Sequence, residues 1–273
     1  EKTDKNKYKI LHLVNIPWWN ACAYYAVELA RAQTMLGAEV VIAGDPDSPP
    51  LNKARSLEIA VDNGPHISSY LPHLHRNMRW LSRMIDSGYD IVVAHRGEAH
   101  AAAFLTKFLM KKDFALIRVR GDVRPPRNDI YNRILYGTRY TDGIICATEK
   151  LKRDYMSKFG IDEERIKSIP AGVDTEYFSD LPYSSGIRKK YDINPDTTVI
   201  TLLGRLDPVK GHDVFIKAAG KIKTNKAGLI FIIAGEECNV KTDDLKLLIK
   251  ECCPECNFKF IGVLLHDLAK PDV

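Results

Sequence analysis

The sequence predicts an α/β fold arranged as two Rossmann-like units, on three observations. Short apolar runs alternate with helically spaced segments along nearly the whole chain. Several of those runs are almost continuously apolar, as strands of a parallel sheet covered on both faces are. The alternation breaks once, across residues 170–185, where prolines, glycines and serines cluster, and then resumes. A turn-rich crossing of that kind marks a boundary between units.

The elements follow in order. Residues 9–14 are the first apolar run, followed by the loop Pro17-Trp18-Trp19-Asn20. Over residues 21–35, Ala26, Leu29, Ala30 and Gln33 keep helical spacing, and Gly37 ends the segment. Residues 39–43 are the next strand, so the chain opens on a βαβ unit with parallel neighbours. The stretch Asp45-Pro-Asp-Ser-Pro-Pro50 reads as a loop and residues 57–61 as a short strand. Leu71, Leu74, Met78, Leu81 and Ile85 then trace a helix, with His73, Arg76, Arg79 and Arg83 on the rest of its surface. Strands over 90–94, 115–119, 143–147 and 166–169 alternate with helices over 98–111, 129–140 and 149–159. Beyond the crossing come a strand over 199–203, a helix over 211–222, a strand over 229–234, a helix over 243–252 and a strand over 258–261. The expected organisation is an N-terminal unit over 1–172, a linker over 173–185 and a C-terminal unit over 186–273.

Composition narrows the function classes. With 17 Gly and 14 Pro in 273 residues, collagen-like and low-complexity readings fail. The balance of 40 Lys and Arg against 35 Asp and Glu is mildly basic, at +5. It suits a small anionic substrate or a membrane surface better than nucleic acid. No apolar stretch reaches the roughly 18 residues that span a bilayer. The first nine residues lack the apolar core of a signal peptide. Six cysteines in this length are no disulfide framework, so a reducing cytoplasm is the expected compartment.

The sharpest local feature is Gly204-Arg-Leu-Asp-Pro-Val-Lys-Gly211, between a buried strand and a helix. That is the carboxyl end of a parallel sheet, where ligands bind. Gly204 permits close backbone approach, and Gly211 stands where the helix begins, with free N–H groups and the positive end of the dipole. Arg205 and Lys210 add two cations. Together these fit a diphosphate, with Arg as a fork and Lys as a movable point charge. The alternative is a pair of ordinary solvated charges.

Three ordered segments resemble family-4 glycosyltransferases. Gly204 to Asp213 is similar to that family's GRLxxxKG segment. Thr141-Asp-Gly-Ile-Ile-Cys-Ala-Thr-Glu149 is similar to its aDxiixxS strand, and Arg165-Ile-Lys-Ser-Ile-Pro-Ala-Gly-Val-Asp-Thr-Glu-Tyr-Phe178 to its kIxvIpNGVDxxxF crossing. The resemblance implies the GT-B fold and transfer of a sugar from a nucleotide-diphosphate donor to a glycan or lipid-linked acceptor. It implies retention, no bound metal or cofactor, and a role in cell-envelope, lipopolysaccharide or other polysaccharide biosynthesis. Arg205 and Lys210 are then the catalytic pair, neutralising the departing diphosphate, with Gly204 and Gly211 beside them in donor binding. Asn20-Ala21 stand where the family has Gly-Gly, Ala171 where it has Asn, and Arg120 where it often has His. The family's Glu-x7-Glu element would lie beyond Gly262, so the second unit is expected to be incomplete. A hydrolysing nucleotide-sugar epimerase, or an inactive nucleotide- or glycan-binding remnant, are the rival readings.

The second feature is basic. Residues 118–139 hold Arg118, Arg120, Arg124, Arg127, Arg133 and Arg139 against Asp122 and Asp129. The part from Arg120 to Arg127 follows a strand and is stiffened by two prolines. It reads either as a reader of an anionic acceptor or as a solvated loop. Arg120, Asp122, Arg124 and Arg127 are the acceptor candidates there, with Trp18, Trp19 and Asn20 from the first loop, whose indoles suit a sugar ring. His66, His73 and His75 with the nearby arginines suit peripheral contact with an anionic membrane or a plain solvated face. Asp45-Pro-Asp47 reads as a turn rather than a metal motif. Cys253-Pro-Glu-Cys256 has zinc-like spacing but no second pair, so no metal is expected.

Overall fold

The computed structural model describes residues 8–67, 71–121, 127–137, 140–176, 186–222 and 228–262. By its contacts the chain divides into two compact units, Glu1–Val173 and Asp174–Val273.

The first unit runs β1 (Lys9–Leu13), α1 (Ala21–Met35), β2 (Glu39–Gly44), α2 (Pro49–Ser56), β3 (Ala60–Asn63), α3 (Leu71–Asp86), β4 (Ile91–Ala94), α4 (Gly97–Leu109), β5 (Ala115–Arg120), α5 (Ile130–Leu135), β6 (Gly143–Cys146), α6 (Glu149–Phe159) and β7 (Ile166–Ser168). The strands form one parallel sheet in the order β3-β2-β1-β4-β5-β6-β7. The order reverses between β1 and β4, which opens a crevice at their carboxyl ends. Side chains alternate across the sheet. Ile10 and Val93 pack with Ala26, Ala30, Leu51 and Ala54 of α1 and α2. Leu11 and Val92 pack with Leu81, Ala99 and Ala103 of α3 and α4 on the opposite face. Both faces are therefore covered, as the apolar runs require.

Local chemistry sets the ends. Asn20 caps α1, its Oδ1 accepting from the Ala23 N–H at 2.9 Å. Thr148 caps α6, and Gly160 ends it in the left-handed region at φ +63°. The second connection departs from expectation, because Pro49 and Pro50 begin a helix instead of lying in a loop. Proline at the first helical positions forgoes N–H groups that have no helical partner anyway, and Leu51 and Ala54 give the helix a buried face. Leu57 becomes its C-cap, so the strand begins at Ala60 rather than at residue 57. The helix expected over 129–140 stops at Leu135, where the Tyr136 N–H turns back to the Asn132 carbonyl.

The second unit runs α7 (Gly186–Lys190), β8 (Thr198–Leu203), α8 (His212–Gly220), β9 (Leu229–Ala234), α9 (Thr242–Cys252) and β10 (Phe258–Phe260). The short helix α7 was not expected from the sequence. The sheet is parallel and three-stranded, in the order β10-β9-β8. Phe231 and Ile233 of β9 face Ile216, Ala219 and Leu245 of α8 and α9, and the rings of Phe231 and Phe258 stack at 5.0 Å. Ile230 and Ile232 point the other way, against Ile193. No helix among the described residues is long and apolar enough to cross a membrane.

Candidate functional site

The loop joining β8 to α8 carries all four donor candidates, Gly204, Arg205, Lys210 and Gly211. It is tied down along its length to the segment after β9. The Gly204 N–H donates to the Ala234 carbonyl (2.8 Å), the Leu206 N–H to Glu236 (2.7 Å), and the Val240 N–H to Leu206 (3.1 Å). Gly235 is what lets the two segments lie so close. A Cβ there would sit 2.1 Å from the Gly204 carbonyl oxygen, and its φ is +155°.

Asp207 organises the loop from within. It is 5% exposed, and its Oδ1 accepts from the Val209 N–H (3.1 Å) while Oδ2 accepts from Asn239 Nδ2 (2.8 Å). These two donors, ahead of the cations of Arg205 and Lys210, hold its carboxyl below the usual carboxylate range. Arg205 approaches the same carboxylate at 3.6 Å, yet its side chain stays 55% exposed. The aliphatic stem of Lys210 lies across Gly204, with Cδ 3.4 Å from where a Cβ would be. Gly211 turns the chain into α8 at φ +71°. Its own N–H is not free, since it donates to the Pro208 carbonyl at 3.2 Å. Lys217 first, and then the Val214 N–H, hold the carboxyl of Asp213 in the first turn of α8 below the usual carboxylate range. The positive charge of this loop therefore comes from the two side-chain cations more than from the helix end. Sequence reading missed Asp207 and Asn239 because a capping carboxylate and an amide 32 residues away have no joint signature.

The first unit holds the acceptor candidates. Trp18 and Trp19 are 56% and 42% exposed, and Trp19 meets Tyr24 edge-on. Asn20 spends its side-chain oxygen on the α1 cap. Arg120 ends β5 with its guanidinium over the Tyr155 ring, 5.5 Å from the centroid. Gly121 lies against α1, where an added Cβ would come 3.2 Å from Cys22 Sγ. Gly121, which follows β5, and the start of α1 are thus neighbours at the carboxyl edge of the sheet. Arg127 is exposed, whereas Asp122 and Arg124 lie outside the described residues, as does most of the expected linker.

Beneath this edge lies a buried polar layer that the sequence did not disclose. His12 Nε2–H donates to Gln33 Oε1 (2.7 Å), which leaves His12 Nδ1 to accept from His95 Nε2–H at 2.9 Å. Burial pushes His12 down to about 4 and His95 well below its ordinary value. Thr141 donates to the Leu135 carbonyl, so His100 Nε2–H donates to Thr141 Oγ1 at 2.8 Å. Burial first, then Arg118 and Arg120, holds His100 neutral as well. Arg118 is fully enclosed and donates to the carbonyls of Ala94 (2.8 Å) and Val119 (2.7 Å), bracing the ends of β4 and β5.

The weaker candidates resolve locally. His66 pairs with Asp45 at 2.7 Å and meets His73 edge-on, which absorbs the Asp45-Pro-Asp47 turn. Cys253 and Cys256 are buried, and burial with Cys256 alongside raises Cys253 to about 12, the range of an inert thiol. Among the described residues no three His, Cys, Asp or Glu side chains converge as metal ligands.

Two parallel-sheet α/β units, one of them with a cationic glycine loop at the carboxyl edge of its sheet, define a two-unit Rossmann-like architecture. The chain belongs to glycosyltransferase family 4. The sequence model of Glycosyltransferase Family 4 matches residues 22–177, and that of Glycosyl transferases group 1 matches residues 185–270. A glycosyltransferase from Rickettsia africae superposes with a TM-score of 0.80 at 19% identity, over 97% of this chain and 70% of that one. Anabaena Alr3699/HepE in complex with UDP-glucose superposes with a TM-score of 0.69 at 18% identity, over 94% and 69%. These neighbours establish the GT-B fold. The D-inositol 3-phosphate glycosyltransferase of Xylanimonas cellulosilytica is 25% identical over 160 residues, 53% of this chain and 36% of the relative. The chain thus spans about a third of that relative and some 70% of the solved structures.

Proposed function

We propose that this chain supplies the acceptor side and the donor loop of a glycosyltransferase. It would move a sugar from a nucleoside-diphosphate donor to an anionic glycan or lipid-linked acceptor in cell-envelope or polysaccharide biosynthesis. The observation that carries the reading is the pair Arg205 and Lys210 on one loop at the carboxyl edge of the second sheet. When the sugar–phosphate bond breaks, charge accumulates on the departing diphosphate. An exposed guanidinium and a movable ammonium meet that charge without any protein nucleophile. The retaining course and the absence of a metal requirement belong to the same reading. Asp207 stays ionised but is turned inward, so its task is to hold the loop rather than to touch the donor.

The acceptor side of the proposal comprises Trp18, Trp19, Asn20, Arg120, Asp122, Arg124 and Arg127. The proximity of Gly121 to Cys22 supports a shared site, and the likeness to the D-inositol 3-phosphate glycosyltransferase of Xylanimonas supports a phosphorylated acceptor. A cytoplasmic location and peripheral contact with an anionic membrane are further parts of the reading, supported by the surplus of cations in this unit. Calorimetric titration with UDP and with GDP tests the donor assignment. At least one should bind, and Arg205→Ala combined with Lys210→Ala should weaken it by more than about tenfold, since each charge-assisted hydrogen bond is worth roughly 1.5–3 kcal/mol. An unchanged affinity would remove the site.

A further inference from the structure

Two cysteines of the second unit are held against each other at the edge of the sheet opposite the donor loop. Cys253-Pro-Glu-Cys256 begins as the C-cap of α9 and leads into β10, so it lies at the amino ends of the strands. The Cys256 N–H donates to the Cys253 carbonyl at 2.9 Å, which closes a tight turn with Pro254 in the position that proline favours. A turn of this kind holds its first and last Cα atoms less than about 7 Å apart, and a disulfide spans about 4.4–6.8 Å. Both side chains enter the core between α8, α9 and the sheet, and Cys256 stands within hydrogen-bonding reach of Cys253.

Packing fixes the turn from behind. Gly220 at the end of α8 lies so near that a Cβ there would come 2.5 Å from the Cys252 carbonyl oxygen and 3.3 Å from Cys253 Cβ. Cys253 is fully enclosed, and its Sγ–H points to the Ile216 carbonyl at 3.6 Å. Cys256 is 8% exposed and sits between the exposed Glu255 and Asn257, so it is the member of the pair nearer to solvent. Burial first, and then Cys256, pushes Cys253 up to about 12. Near neutral pH Cys253 therefore adds no thiolate stabilisation to the reduced pair, the effect that otherwise favours a dithiol over its disulfide.

We propose that Cys253 and Cys256 form a redox modification site, closing to an intramolecular disulfide by exchange with a low-molecular-weight disulfide such as oxidised glutathione. The Cys256 thiolate attacks one sulfur of the small disulfide, and the first small thiol departs. Cys253, once deprotonated, attacks the Cys256 sulfur of the mixed disulfide and expels the second. Two protein S–H bonds and the small S–S bond are lost, and one protein S–S bond and two small S–H bonds are formed. The protein pair is thus oxidised by two electrons and the small disulfide reduced. The shift that keeps Cys253 inert toward single reagents makes the second step slow. Closure pins the end of α9 to the start of β10 and leaves Arg205 and Lys210, at the opposite edge, untouched.

The test equilibrates the full chain in glutathione buffers of graded redox poise, quenches it in acid, alkylates it with N-ethylmaleimide in denaturant and digests it with trypsin. Cleavage after Lys250 and Lys259 releases residues 251–259, with Cys252, Cys253 and Cys256 on one peptide. From the oxidised chain that peptide should have lost two hydrogen atoms and should carry a single maleimide, on Cys252. Closure should persist in Cys252→Ser and vanish in Cys253→Ser and in Cys256→Ser. The mapping on the unaltered chain assigns the pair even where a serine in the core prevents folding. A synthetic peptide of residues 251–259 in the same buffers measures what the local sequence does alone. The folded chain should favour the disulfide over that peptide by at least about tenfold, or about 30 mV for a two-electron couple. The proposal is overturned if no disulfide forms, if Cys252 replaces either partner, or if the folded chain is no more readily oxidised than the peptide.

Discussion

The two units solve the same folding problem with opposite placement of charge. The first covers seven parallel strands on both faces and encloses His12, His95, His100 and Arg118 in its interior. The second has three strands and leaves Arg205 and Lys210 in the open, burying the Asp207 carboxylate beside them and His212 at the start of α8. Enclosed polar groups must be satisfied by the protein, which makes the first unit's carboxyl edge rigid and its histidines neutral. Exposed cations cost little and stay available to a ligand. The difference teaches where binding chemistry can reside: over a braced edge in one unit, on a pinned loop in the other.

The comparison can be broken most severely at Gly235. Gly235→Ala places a methyl group against the Gly204 carbonyl, and the loss in the second unit should be on the order of 3 kcal/mol or more. Hydrogen exchange should show β8 and β9 losing protection while β1 and β4 keep theirs. Equal loss in both units would mean that they are not separate in stability.

Acid should separate the units in the opposite direction. An unfolded histidine takes its proton near pH 6.5, but His12 in the folded chain takes one only near 4. The folded state is therefore unpenalised above 6.5 and loses stability as pH falls toward 4, by on the order of 3 kcal/mol for this group alone. His95 and His100 act in the same sense. In the second unit Glu237 is held at about 2, first by the Thr242 N–H, so its contribution begins to fade only below the ordinary glutamate value of 4.5. Between pH 6.5 and about 4.5 the loss should fall on the first unit, as unit-resolved hydrogen exchange would reveal. A first unit whose protection does not change with pH would contradict the neutral assignment of its histidines.

The smallest effect sharpens the acceptor side. Asn20→Ala removes the α1 cap and should cost about 1 kcal/mol in denaturant unfolding. Asn20→Asp should restore stability, because the carboxylate can accept the same N–H. If Asn20 also touches an acceptor, the Asp variant would recover stability without recovering acceptor affinity.

Much of the fold was legible in the residues. The helix over Glu149–Phe159 and the strand over Leu229–Ala234 have the bounds that their spacing and flanking turns announce. The connection over 204–211 was legible as a glycine-rich cationic loop because its glycines and cations are contiguous. The helix at Pro49 was not, since a proline pair after Ser48 is equally a turn signal, and only burial of Leu51 and Ala54 favours the helix. The histidine layer was not legible either. His12 and His95 are 83 residues apart, and nothing local distinguishes a buried histidine from a solvated one.

The sequence by itself determined the alternation of elements, the parallel character of the strands, and the glycine-rich cationic loop, because each depends on residues close together in the chain. Only the tertiary structure decided which groups are enclosed and which stay in the open. It turned Asp207 inward, closed the Gly211 N–H against Pro208, and made His12 and His95 partners. The mild surplus of positive charge says nothing of where the cations stand. Their positions follow from which surfaces the packed helices cover, and that is a property of the assembled chain.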